Sequence, residues 1–253
     1  MIYEQPLNEQ IRLCLRLEYL FDQAGYYLNQ ESLTSFWDLH QILKIILELL
    51  QITNRPDIKN KLSRILDQYA YHLSQLISMV DVDQQILNNT IQQIEYLSNN
   101  LRANQQKIGQ ELREDEFLND IQQRLYTPAG TCSFSLPCYQ SWLQQKIEAK
   151  FQLSIWFRYF DELKNVVDIV LKILRESSSF KTLKASMGFH HGSLDSNFLY
   201  QLIRVKLSDD KKLFPEISVG HHRIAIHFFT LDISGKTSQI SNDVSFELSC
   251  CKI

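Results

Sequence analysis

The stretch Arg175-Glu-Ser-Ser-Ser-Phe180 marks a change of period in the sequence. Before it, apolar residues recur every three to four positions; after it, they recur every two. Upstream, Leu87, Ile91, Ile94, Leu97 and Leu101 line one helical face. Phe36, Leu39, Leu43, Ile46 and Leu50 form another such stripe, as do Ile58, Leu62, Ile65, Tyr69 and Leu76, and Leu7, Ile11, Cys14 and Phe21. One-sided stripes of this kind predict helices that bury their apolar faces against each other. Thr53 and Asn54 before Pro56, and Asp83 before Gln84, read as helix starts. A fifth helix is expected from about Ile108 to Leu125, stopped by Pro128 and Gly130. A sixth, kinked or divided, covers Leu136 to Arg175.

Downstream, Leu199, Ile203, Val205 and Leu207 alternate with Arg204 and Lys206, and Ile224, Ile226 and Phe228 with Arg223, Ala225 and His227. Val244, Phe246, Leu248 and Cys250 alternate with Ser245, Glu247, Ser249 and Cys251. Alternation over so few residues predicts strands with one apolar face. Asp209-Asp210-Lys211-Lys212 and Ser234-Gly235-Lys236 supply turns between them, and strands this close in sequence pair antiparallel. The expected fold class is therefore α+β, an N-terminal multi-helix domain (1–178) followed by an antiparallel β-rich domain (179–253).

Composition narrows the function. With 44% hydrophobic and 22% charged residues the chain is an ordinary globular one, and its net charge of −3 is no footprint for nucleic acid or anionic lipid. No apolar run approaches the roughly 18 residues of a membrane span; Ile42 to Leu50 is broken by Lys44 and Glu48. The opening Met1-Ile-Tyr-Glu-Gln-Pro6 lacks a basic and apolar leader, and five cysteines fit a reducing compartment. A cytoplasmic location is expected.

Catalytic and metal motifs are sparse. His190-His191 and His221-His222 are adjacent pairs, whose side chains leave a strand on opposite faces. Cys132 and Cys138 are too widely spaced for a paired zinc ligand. No glycine-rich phosphate loop and no nucleophile elbow is present. Glu111, Glu114, Asp115 and Glu116, with Arg113 among them, read as a solvated helix face. No cofactor and no enzymatic activity are expected. A hydrolase built on an unrecognised Cys–His pair ranks last among the alternatives.

Three stretches carry a resemblance. The first is Pro6-Leu-Asn-Glu-Gln-Ile-Arg-Leu-Cys-Leu-Arg-Leu-Glu-Tyr-Leu20, read as a proline-started helix with Arg12 and Arg16 stacked four apart. The second is Ile108-Gly-Gln-Glu-Leu-Arg-Glu-Asp115 with Gln123-Arg124-Leu125, Pro128-Ala-Gly-Thr-Cys-Ser-Phe134, Leu136-Pro137 and Trp142-Leu143. The third is Leu213-Phe-Pro-Glu-Ile-Ser218 with Arg223-Ile-Ala-Ile226, Leu231-Asp232 and Phe246-Glu-Leu-Ser-Cys-Cys251. In this order they resemble the ZapD family, bacterial division-ring proteins that bind the tubulin-like protein FtsZ.

The resemblance implies a homodimer at the mid-cell division site that binds the C-terminal tail of FtsZ through a basic cleft and bundles its filaments. The residues matching basic positions of the pattern are Arg12, Arg16, Arg55, Arg113, Arg124, Arg175, Lys181 and Arg223. Glu116, Gln140 and His227 stand where the pattern has basic residues. The alternative is a nucleic-acid-binding protein using the same arginines and the Arg204/Lys206 strand face, set against an acidic overall balance.

Overall fold

The computed structural model describes residues 1–29, 35–78, 83–208, 212–220, 222–232 and 234–253. Among the described residues, strand β1 (Ile2–Pro6) precedes nine α-helices: α1 (Glu9–Leu28), α2 (Phe36–Thr53), α3 (Ile58–Gln75), α4 (Gln84–Ala103), α5 (Gln110–Glu114), α6 (Glu116–Arg124), α7 (Pro137–Gln144), α8 (Lys146–Arg158) and α9 (Asp161–Glu176). Seven described strands follow: β2 (Lys181–Ala185), β3 (Phe189–Ser193), β4 (Tyr200–Lys206), β5 (Leu213–Val219), β6 (Arg223–Leu231), β7 (Thr237–Gln239) and β8 (Val244–Lys252). The α+β order read from the periods is the observed one. No described helix is long and apolar enough to cross a membrane.

The chain forms two compact units, Cys14–Ile169 and Met1–Leu13 with Val170–Ile253. They do not coincide with the change of period at 178, because β1 pairs antiparallel with β4, placing Glu4 opposite Arg204. A five-residue strand with no alternation gives no periodic signal. Pro6, read as a helix start, instead ends this edge strand, where its missing N–H is tolerated. Asn8 caps α1: its Oδ1 accepts from Ile11 N at 2.8 Å.

In the helical unit the predicted stripes are buried except at Phe36 and Leu76, which are partly exposed. Leu39, Leu43, Ile46 and Leu50 of α2 are at most 2% exposed, as is the α3 stripe from Leu62 to Tyr69. Burying each such side chain contributes about 1.5–3 kcal/mol before the cost of ordering the chain. A second expected helix start also deviates. Thr53 ends α2, donating its hydroxyl to Leu49 O, and α3 begins only after Asp57. Asp83 caps α4 as expected, accepting from Gln85 N and Ile86 N.

The fifth predicted helix is two helices, because Asp115 turns extended and caps α6 through Leu118 N. The sixth is divided into three, α7 to α9. Phe117, Tyr139, Trp142 and Trp156 stack around one another, with Trp142 and Trp156 ring centroids 5.8 Å apart. Trp156 is therefore a core residue, whereas Tyr126 is exposed.

His40 Nδ1 lies 2.6 Å from the Tyr139 hydroxyl in this core. Burial, and secondarily the charge of Lys44, hold the imidazole below its ordinary pKa. The folded state therefore prefers the neutral ring. The stabilisation is complete above the unfolded value of about 6.5 and is lost as pH falls toward the lowered folded one. Urea unfolding at pH 7.5 and 5.5 should show lower stability at the acid pH. That difference should shrink in His40→Gln; an unchanged difference would remove His40 as its source.

The described residues of the other unit form two sheets, ordered β1-β4-β8-β2 and β3-β6-β5, with β7 also on β6. Their inner faces meet through Ile203, Val205, Phe246 and Leu248 on one side and Ile224, Ile226 and Phe228 on the other. Two details of the alternation change. Leu199, expected on the inner face, is 74% exposed, because the β4–β8 register shifts between Tyr200 and Leu202. At the end of β8 both faces are covered, so Ser249 and Cys251 are buried while Cys250 is only partly so. The segment after α9 does the covering: Ser249 Oγ donates to Ser178 O at 3.0 Å. The expected turn at Asp209, Asp210 and Lys211 lies outside the described residues. That at Ser234-Gly235-Lys236 is present, with Asp232 N bonded to Lys236 O.

Candidate partner-binding site

Each cation expected at a partner site has a definite place. In the helical unit, Arg16 of α1 lies on the solvent side, its guanidinium 5.4 Å from the Tyr19 ring centroid and paired with Glu48 of α2. Arg55 is exposed in the turn between α2 and α3. Arg124, at the end of α6, donates to Ser135 O at 2.5 Å and so closes the 125–136 segment.

Arg113 is different. Its Nη2 donates to Leu50 O at 2.5 Å and to Thr53 Oγ1 at 2.8 Å, closing the C-terminal end of α2. A guanidinium there satisfies carbonyls that the helix leaves open and complements its dipole. Desolvation lowers its pKa, and its Nε is buried with no partner. Arg113 holds the fold, a role its acidic sequence neighbours conceal.

In the other unit, Arg12 is exposed and pairs with Glu9 at 3.1 Å. Arg175 grips the Glu4 carboxylate with two donors, Nε at 2.9 Å and Nη2 at 2.6 Å, while Arg204 Nε reaches the same carboxylate at 2.9 Å. All three side chains are largely buried. Lys206 pairs with Glu247, so the Arg204/Lys206 face presents cations that are already engaged. Lys181 and Arg223 are exposed at the starts of β2 and β6. Lys181 also lines a basin of about 320 Å³ with Tyr200, Cys250 and Lys252.

The three non-basic positions have local roles. Glu116 stands in the first turn of α6, where an anion suits the helix dipole. Gln140 Nε2 donates to Thr131 O at 2.6 Å. The His227 ring packs 4.6 Å from that of Phe189. His221, one of the histidine pairs, lies outside the described residues. Among those described, no three His, Cys, Asp or Glu side chains are grouped so as to hold a metal ion. All five cysteines are free thiols, and burial pushes the Cys250 thiol up to about 11.

One feature of the helical unit went unnoticed in the sequence. A groove of about 870 Å³ runs between α1 and α8, with Phe21, Leu28, Phe151 and Phe157 among its lining. Among the described residues, Lys146, Lys150, Asp161, Arg158 and Lys164 also line it. The signal available was the apolar content of α8 on both faces, Ile147 and Phe151 opposite Ala149 and Leu153.

Comparison with known proteins accords with the stretches quoted first. The family profile of ZapD, described as a cell division protein, matches residues 15–227. Cell division protein ZapD of Coxiella burnetii (strain RSA 493 / Nine Mile phase I) is 38% identical over 254 aligned residues, covering 99% of this chain and 97% of that protein. ZapD of Pectobacterium atrosepticum is 34% identical over 99% of this chain and 97% of its own length. That of Methylococcus capsulatus is 32% identical over 99% and 98%. A profile match over most of the chain and near-complete alignment at this identity place the chain in the ZapD family of cell division proteins.

Proposed function

We propose that this protein binds the C-terminal tail of FtsZ and, as a homodimer, cross-links and bundles FtsZ filaments in the cytoplasm at mid-cell, with no catalytic activity of its own. The observation that carries the reading is its end-to-end similarity to division proteins of the ZapD family. A filament displays many tails and a dimer presents two equivalent sites. Weak single contacts then become firm bundling through effective concentration.

The placement of the cations refines the assignment. Arg12, Arg16, Arg55, Arg124, Lys181 and Arg223 are exposed and are the proposed contact residues. Arg113 and Arg175 are proposed to act by positioning, since their guanidinium groups are engaged within the protein.

The test is a fluorescent peptide from the cognate FtsZ C-terminus, titrated at low and high salt. Binding should saturate and weaken with salt. Arg16→Glu should weaken it about tenfold or more, the scale of one charge-assisted hydrogen bond, while the loss of the exposed Glu48 pair should lower stability by no more than about 1 kcal/mol. Arg113→Ala should lower stability by about 1–3 kcal/mol, since it opens the end of α2. No binding at low salt by folded protein would sink the tail-docking mechanism.

A further inference from the structure

One end of the sandwich is open. Pairing between β3 and β6 stops at Ser193 and Arg223. On the facing sheet Leu183 of β2, Tyr200 of β4 and Cys250 of β8 pack against the core yet stay only partly buried. With Leu248, Ser193 and Leu194 they enclose the basin of about 320 Å³ that Lys181 borders. Leucines, a phenol ring and a thiol make its apolar surface.

A bulge aims one of these side chains. The β4–β8 register shifts between Tyr200 and Leu202, which leaves Leu199 in water and Tyr200 on the basin. Bulges recur beside binding sites because they redirect a single side chain. Lys252 faces Tyr200 across the β4–β8 pair and holds its ammonium over the Phe198 ring, 5.9 Å from the Tyr200 ring centroid. Aromatic faces hold a cation in place without neutralising it.

Charge and size then select the ligand. Lys181 makes no ion pair among the described residues, and its charge acts on the Cys250 thiol inside the basin. Among the described residues no Asp or Glu lines the space, and Ser178, Ser179 and Ser193 supply its other polar side chains. Two ammonium groups beside an apolar floor suit a molecule that is anionic at one end and apolar at the other. The described lining offers neither the arginine fork nor the helix N-terminus that grips a phosphate. The volume is at the small end of ligand sites, which suits a short chain.

We propose that this basin binds a small amphipathic carboxylate, its head group held by Lys181 and Lys252 and its chain lying on Leu183, Leu248 and Tyr200. The site stands apart from the function proposed above and does not depend on it. Lys181 figures in both readings and Lys252 in this one alone, so the test turns on Lys252.

Isothermal titration calorimetry of the full-length protein with sodium octanoate is the experiment, with acetate and 1-octanol as controls. Octanoate should saturate a single site per chain with a dissociation constant of about 1 mM or below, the scale that about ten non-hydrogen atoms support. Acetate lacks the chain and octanol the charge, and each should bind at least about fivefold more weakly. Lys252→Gln removes a cation and Ser179→Trp fills the basin from an exposed position. Each should weaken octanoate about fivefold or more, with circular dichroism showing the variant folded. Lys236→Gln, in the turn before β7, should bind as the parent does. Octanoate binding left unchanged by both basin variants would place it elsewhere and overturn the site. Octanol or acetate binding as tightly as octanoate would overturn the ligand class. No octanoate binding by folded protein, at several times the expected dissociation constant, would overturn the proposal outright.

Discussion

Gly188→Ala is expected to destabilise the sheet unit by about 2–5 kcal/mol, the combined scale of a left-handed alanine and an overpacked contact. Met187 and Gly188 form the two-residue turn between β2 and β3, with φ of 51° and 71°. The turn is closed by Phe189 N bonding to Ser186 O at 3.0 Å. Two successive positive φ angles are what a tight hairpin requires for its twist to match that of the strands. A Cβ at residue 188 would stand 2.2 Å from the backbone oxygen of Ile240.

Neither side can yield easily. Gly188 O accepts from Phe228 N at 2.9 Å, and Ile240 N donates to Phe228 O at 3.0 Å, so both backbones are fixed to β6. Met187→Asn, at the neighbouring left-handed position, should be neutral or slightly stabilising, because asparagine adopts that conformation more readily. Urea unfolding of the two variants checks the contrast. A Gly188→Ala protein within about 0.5 kcal/mol of the parent, the range of ordinary surface substitutions, would mean the turn is not built this way.

Glu4→Leu is expected to cost about 2–4 kcal/mol. Removing one member of a buried ionic group costs about 3–5 kcal/mol, and residual solvent contact here reduces it. Glu4 is the shared acceptor of Arg175 and Arg204, with side-chain exposures of 16%, 26% and 13%. Leucine would leave two guanidinium groups in a poorly solvated place. Arg204 would keep its bond to Arg175 O at 3.3 Å and its position 5.0 Å over the Phe180 ring, which limits the loss.

The coupling is directly measurable. Because Glu4 and Arg204 face each other across the β1–β4 pair, Arg204→Leu combined with Glu4→Leu should cost less than the sum of the two. An interaction free energy of about 1–3 kcal/mol is the expected scale for residues in one network. Strict additivity would show that the carboxylate contributes no pairing. An Arg175→Leu variant extends the test: if it reduces tail binding only in step with stability, the role of Arg175 is structural.

Much of this architecture was present in the sequence because it is local. A period of 3.6 or 2 is a property of a dozen consecutive residues, and the faces of α2, α3, α4 and β6 were therefore readable one segment at a time. The same holds for the cap at Asp83 and for the change of period at Ser177-Ser178-Ser179. Family membership was legible for a similar reason, since the quoted stretches stand in order along one chain.

What only tertiary structure decided depends on which surfaces meet. Ile2–Pro6 becomes a strand because β4, some two hundred residues later, offers it an edge. Cys251 is buried and Cys250 half-exposed because Ser178 and its neighbours cover the face that alternation assigned to water. Arg113 and Arg175 look like surface cations among acidic or polar neighbours, yet their partners, Leu50 O and Glu4, are remote in sequence. Ile147 and Phe151 show the converse: apolar residues in a helix, left exposed because no other part of the described helical unit covers them. Periodicity states which residues share a face; burial is decided by the surface that the rest of the fold brings against it.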